Sequence, residues 1–433
     1  METEQAFSRK KWVSLAVICI FLNILGFPGN YTRVFGGWLK PAVEYGAFFL
    51  ELLLMLASSS DNVMEMKLID LDYRFTPIYL FVLEVAVTSM ISTNNRQEEI
   101  VTVFRLAVTA CFAVWLARTF SVEELLRLLL YSQILFVAVS VAFPVLFSAY
   151  DVRAASYRNS FVGIGGVKNE IAGELSFGLI MQMVLYRIRE LKNDRPGRAF
   201  FVFAAVQVIL LILAKSAGAI ITVLLIFAYI FIYQKRHEQT VNIGLVYLLT
   251  ASGFIVLALT MMPLFEPLLE MIGKDPTLTG RIPLWRQMIS VMQENKTFFG
   301  FGYGMFWRDQ RAVNLMHAGF DKYSFMAGMT SGSHNDLLEL LANCGIMGVA
   351  SFFLSMLLSF SGLRNADRDR KIFCSAFVLY FTIHGLTERT WTPFQYMTLF
   401  LFISMAHGRM AETENAECSP SQLSSQPITE NGI

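Results

Sequence analysis

The chain has 433 residues, 55% of them hydrophobic and only 16% charged, with a formal net charge of +1. So few charged side chains cannot cover a soluble fold of this size, and a balance near zero gives no field to attract nucleic acid. The five cysteines, Cys19, Cys111, Cys344, Cys374 and Cys418, are scattered without a CxxC pair, which argues against a zinc knuckle or a disulfide framework.

Along the chain, Ser8-Arg9-Lys10-Lys11 precedes the first apolar run. That opening resembles a secretory signal, but no small-x-small cleavage site follows, so an uncleaved first helix is expected. Twelve candidate spans follow in order: Trp12–Gly29, Trp38–Ala57, Thr76–Ile91, Ile100–Ala117, Leu125–Ala149, Glu170–Tyr186, Phe201–Ala214, Ala217–Ile232, Val241–Met262, Leu337–Phe360, Phe373–Leu386 and Thr392–His407. Helices are the economical solution, because each backbone amide left unpaired in lipid costs several kcal/mol. The expected fold is an all-α polytopic membrane protein with one large extracytoplasmic loop between helices 9 and 10. Residues 1–11 form a cytoplasmic N-terminus, 12–262 the first nine helices, 263–334 the loop, 335–408 the last three helices and 409–433 a disordered cytoplasmic tail.

Positive charge sets the orientation. With the N-terminus cytoplasmic, the inside segments carry nineteen Lys and Arg against eight in the short outside loops. The sharpest contribution is Arg187, Arg189, Lys192, Arg195 and Arg198. By parity the long segment faces outward, so both termini are cytoplasmic.

Within that segment, Gly280-Arg281-Ile282-Pro283-Leu284-Trp285-Arg286 leads into a helix expected to reach Met292. Pro283 suits a first helical turn, and Arg281 and Trp285 stand four apart. Next comes Gly300-Phe301-Gly302-Tyr303-Gly304-Met305-Phe306-Trp307. Its alternating glycines resemble a phosphate loop, but no Lys-Ser/Thr follows and no βαβ context precedes. A tight aromatic turn at the membrane interface is the better reading. The segment closes at Ser333-His334-Asn335-Asp336, where Ser333 and Asp336 give a capping-box signal and His334 falls in the first helical turn. His334 is then either a capping or interfacial residue or a proton acceptor near neutral pH. His317 and Asp321, four apart, do not by themselves specify a metal site.

Ionisable residues among the apolar runs complete the picture. Glu44, Glu51, Glu84 and Arg105 fall within spans and leave a transporter open as an alternative. Arg158, Lys168, Lys215, Arg281 and Arg389 fall at or near the outer face. Singly they read as interfacial snorkelling. Together they can line a basic pocket for the diphosphate of a lipid.

These residues carry a resemblance. Gly280-Arg281 with Leu284-Trp285, the Gly300–Trp307 run, Ser333-His334-Asn335 with Glu339-Leu340 and Gly345-Ile346-Met347-Gly348, and Val167-Lys168-Asn169 are similar to elements of the O-antigen ligase/polymerase superfamily. The chain looks nearest to its ExoQ-like exopolysaccharide-production members, over about residues 12–408. Many relatives place an arginine at the junction of the seventh and eighth spans, where this chain has Lys215, a point charge without the planar fork.

The resemblance implies a glycosyltransferase of the bacterial inner membrane, active on the periplasmic face, that polymerises undecaprenyl-diphosphate-linked oligosaccharide repeats. Ligation to a lipid A-core acceptor is the alternative, and a polysaccharide transporter or a non-catalytic assembly partner lies further off. It implies His334 and Arg281 in catalysis, with Arg158, Lys168, Lys215, Trp285, Tyr303 and Arg389 binding substrate. No metal and no cofactor are called for. The implied partners are the lipid-linked glycan, membrane lipid, a flippase and chain-length or export proteins, with no nucleic acid.

Overall fold

A computed structural model describes residues 2–24, 36–59, 73–92, 96–147, 159–164, 167–233, 250, 252–253, 280–295, 298–320, 332–386, 388 and 396–417. Every regular element among them is helical. In order they are α1 (Glu2–Ile24), α2 (Leu39–Ser59), α3 (Thr76–Ser92), α4 (Arg96–Thr119), α5 (Val122–Leu146), α6 (Lys168–Leu191), α7 (Arg198–Ala214), α8 (Ala217–Ala228), α9 (Arg281–Asn295), α10 (Gln310–Phe320), α11 (Asp336–Phe360), α12 (Arg368–Gly385) and α13 (Tyr396–Glu417).

Helices stand at the expected runs apart from Val241–Met262, which falls largely outside the described residues. Five helical stretches are long and apolar enough to cross a membrane: Tyr73–Ser92, Gln97–Thr119, Val122–Leu146, Lys168–Leu191 and Asp336–Asn365. The apolar stretches Lys11–Asn23, Arg198–Ala214 and Ala217–Ile232 are shorter. The chain is therefore a multi-pass helical membrane protein. The last helix, α13, extends from Tyr396 to Glu417. The segment Met410-Ala411-Glu412 continues the span with good helix formers and no Gly or Pro to stop it.

Local sequence signals explain several ends. Ser121 and Glu124 cap α5 reciprocally, with Ser121 Oγ accepting from the Glu124 amide at 3.3 Å and Glu124 Oε2 accepting from the Ser121 amide at 3.0 Å. The two-residue turn between α7 and α8 is made by Lys215 in the left-handed conformation, φ +56°. The central post is α6, buried along most of its length. It packs against α5, α7, α8 and α12, while α11 lies on α3 and α13 on α4 and α12.

The described parts of the 263–334 segment form a compact cap rather than a loose loop. Leu284, Trp285 and Met288 of α9, Phe301 and Phe306, and Met316 of α10 bury one another against Leu338 and Ala342 of α11. A break in α11 anchors this cap. Gly345 has φ +66° and ψ −167° inside the helix, so nearby carbonyls and amides lose their helical partners. The Ala342 carbonyl accepts from the Phe301 amide at 2.9 Å, the Asn343 carbonyl accepts from the Gly302 amide at 2.8 Å, and the Met347 amide donates to the Phe298 carbonyl at 3.3 Å. Glycine is required for this approach. A Cβ on Gly345 would stand 2.2 Å from the Phe298 carbonyl oxygen, and one on Gly300 2.5 Å from the Asn343 carbonyl. The alternating glycines thus dock backbone on backbone, in line with the tight aromatic turn read from the sequence.

Candidate functional site

Glu388, just beyond the end of α12, is the centre of the site. Its Oε1 accepts from Arg281 Nη2 at 2.8 Å and from Asn169 Nδ2 at 3.1 Å, and its Oε2 meets His334 Nδ1 at 3.2 Å. The side chains of Arg281 and Glu388 are 19% and 20% exposed and that of His334 33%, so the cluster opens to solvent on the His334 side.

The elements that deliver these residues share one property. Arg281 is the first residue of α9, Asn169 the second of α6, and His334 lies two residues ahead of α11. Three helix beginnings therefore meet at one carboxylate, and each brings the positive end of its macrodipole. The first turn of α9 holds no acidic residue, whereas those of α6 and α11 hold Glu170 and Asp336 with Glu339. Burial pushes the Glu388 carboxyl up, but the His334 hydrogen bond and the charge of Arg281 outweigh it and hold the group below the ordinary glutamate value.

His334 does not sit in the first helical turn as expected. Asn335 takes the N-cap, its Oδ1 accepting from the Leu338 amide at 3.0 Å, since Asn is among the best cap residues. His334 is left outside the helix with φ +51°, a left-handed conformation rare for a non-glycine residue. That turn aims its ring at Glu388.

The remaining sequence candidates divide. Lys168, half-buried, opens α6 beside Asn169. Lys215 is exposed at the far end of α7, and the antiparallel α6–α7 pairing puts it at the same end of the bundle as Lys168. Trp285 and Tyr303 are fully buried: the Trp285 indole donates to the Ser333 carbonyl at 2.8 Å, and the Tyr303 amide donates to Ser89 Oγ at 3.0 Å. Trp285 thus braces the turn ahead of His334, Tyr303 packs in the core of the bundle, and neither presents a solvent-facing ring. Arg158, Arg389 and Asp321 lie outside the described residues. Within the spans, Arg105 stacks on the Tyr45 ring at 4.7 Å. Among the described residues no group of three His, Cys, Asp or Glu could hold a metal ion.

The fold defines a multi-pass membrane protein, with this charged cluster at one end of its bundle. The model of the O-antigen ligase family matches residues 199–353, which include Lys215, Arg281, Trp285, Tyr303 and His334. That segment is thus similar to the O-antigen ligase family, and an O-antigen ligase- or polymerase-type function is supported in general. No curated protein matches the chain. Glu388 and Asn169 fall beyond the matched segment. Asn169 was part of a motif read from the sequence, whereas Glu388 was overlooked in favour of its neighbour Arg389. Its only local signal was an acidic residue in the short connection Leu386-Thr387-Glu388-Arg389 between two apolar runs.

Proposed function

We propose that the protein is a membrane glycosyltransferase that polymerises undecaprenyl-diphosphate-linked oligosaccharide repeats at the outer face of the bacterial inner membrane. The observation that carries this reading is the convergence of Arg281 and His334 on Glu388, at the meeting of three helix beginnings. A diphosphate is a good leaving group, and the protein's task is to hold its charge and orient the two sugars. Arg281, with Lys168 and Lys215 at the same end of the bundle, compensates the leaving diphosphate, and Arg158 and Arg389 are proposed as further diphosphate ligands.

With Nδ1 engaged by Glu388, His334 has Nε2 for the acceptor hydroxyl. The hydroxyl oxygen bonds to the anomeric carbon as its proton passes to Nε2, and the bond from that carbon to the diphosphate oxygen breaks. The electron pair leaves with the lipid diphosphate, and attack from the opposite face inverts the anomeric centre. Glu388 fixes the ring and stabilises the imidazolium that forms. The chemistry needs neither metal nor cofactor.

Ligation to a separate lipid acceptor is a second reading, favoured by the description of the matched family. Purified protein in liposomes, supplied with a defined lipid-linked repeat, separates the two. Lengthening chains from the repeat alone mean polymerisation, product only with added lipid A-core means ligation, and no new glycosidic bond under either condition overturns the assignment.

A further inference from the structure

We infer that Glu339 is a positioning residue for His334, a role that builds on the proton-acceptor reading above. Glu339 lies one turn into α11 and is 2% exposed. A carboxylate is costly to bury, and it is retained where several donors surround it. Its Oε2 accepts from the Ser333 amide at 3.0 Å and from the Trp307 indole at 3.2 Å, and its Oε1 accepts from Asn343 Nδ2 at 3.3 Å.

The first of these bonds matters most. The Ser333 amide is held by Glu339, the Ser333 carbonyl is held by the Trp285 indole, and the Ser333 hydroxyl donates to the Asn335 carbonyl at 2.6 Å. The residue immediately before His334 is therefore gripped from α9, from α11 and from within the turn. Left-handed backbone is costly for a non-glycine residue and survives only where its neighbours over-determine it. Glu339 supplies that constraint. Through Trp307 it also ties the turn to the glycine-docked segment, so the cap and the imidazole are located by one buried carboxylate. Without it, the buried Ser333 amide loses its partner. The turn then relaxes toward ordinary φ and carries the ring off Glu388.

The test compares Glu339→Ala, Glu339→Gln and Trp307→Phe with the wild-type chain in liposomes. Glu339→Ala is expected to lower kcat about a hundredfold, the scale of a misplaced reacting group. KM for the lipid donor should change little, because Arg281 keeps its partner Glu388. Glu339→Gln retains an oxygen for both the Ser333 and Trp307 donors and should recover most of the loss. The readout independent of turnover is the rate of carbethoxylation at His334, followed by peptide mass spectrometry. It should rise in Glu339→Ala and stay near wild type in Glu339→Gln.

Unchanged His334 labelling in Glu339→Ala would overturn the inference, as would a Gln variant damaged as badly as the Ala one. Should Glu339→Ala not fold, Trp307→Phe removes one of the carboxylate's donors and should raise the labelling rate to a smaller degree; no change there would overturn the inference as well. Absence of turnover in wild type, with the labelling difference intact, would fault the glycosyltransferase reading and leave the positioning role standing.

Discussion

The two ends of α6 carry similar charges under opposite rules. At its C-terminal end Lys192 pairs with Glu123 at 2.8 Å and with Asp369 at 2.6 Å. Glu123 lies in the first turn of α5 and Asp369 in the first turn of α12, while Lys192 is the C-cap of α6. Lys192, Glu123 and Asp369 each sit at the helix end their sign favours. At the other end, about 36 Å away for a 24-residue helix, Lys168 opens α6 and Arg281 opens α9, where a positive charge meets a positive helix end. Glu388 joins Arg281 and His334 there, while Glu170 stands in the first turn of α6 and Asp336 and Glu339 in that of α11. The Lys192 end is a satisfied surface network with 47% of its lysine side chain exposed, whereas the Arg281 pair is at most 20% exposed. An arrangement that works against local electrostatic preference is expected where function imposes it.

The largest expected effect breaks the Arg281 end. Arg281→Ala should lower turnover about 10²–10³-fold, the scale of losing one preorganised donor to a developing negative charge, measured as product formed from lipid-linked repeats. Arg281→Lys should restore only part, since the ammonium lacks the planar fork that meets a carboxylate or phosphate at two points.

Next comes the docking that holds this end together. Gly345→Ala places a methyl group against the Phe298 carbonyl at a left-handed position, and should cost about 2 kcal/mol or more, read as a lowered melting temperature in detergent. The Lys192 end contains no such backbone contact among the described residues, and alanine substitutions there should leave melting nearly unchanged.

A smaller effect comes from acid. The Glu388 carboxyl lies below its ordinary value of 4.5 in the folded protein. The stability it adds is therefore present above that value and is lost as pH falls through the lowered one. Glu388→Gln should remove that step, so melting curves of the two proteins should converge as the pH drops below 4.5.

The smallest effect is Lys192→Ala. An exposed ion pair contributes about 0.2–1 kcal/mol and is screened by salt. The change in melting should vanish in high salt, while turnover stays at the wild-type level.

What the sequence made legible follows from the range of the forces involved. The spans are local: apolar runs and charged ends write them directly, and helices such as Thr76–Ser92 and Arg198–Ala214 stand within a few residues of the expected runs. Arg281 and His334 were also visible, because each sits beside a helix start marked by Gly280 or Asn335. The pairing itself was not. Glu388 stands 107 residues from Arg281 and 54 from His334, and nothing local distinguishes it from a capping carboxylate. The burial of Trp285 and Tyr303 was not legible either: Trp285 packs in the cap on α11 and Tyr303 in the main core of the bundle.

The most direct test of the central claim is the affinity of the reconstituted protein for undecaprenyl diphosphate against undecaprenyl monophosphate, in wild type and Arg281→Ala. The predicted result is clear preference for the diphosphate in wild type and its loss in the variant. Equal affinity for the two lipids, or a preference untouched by removing Arg281, would contradict the account.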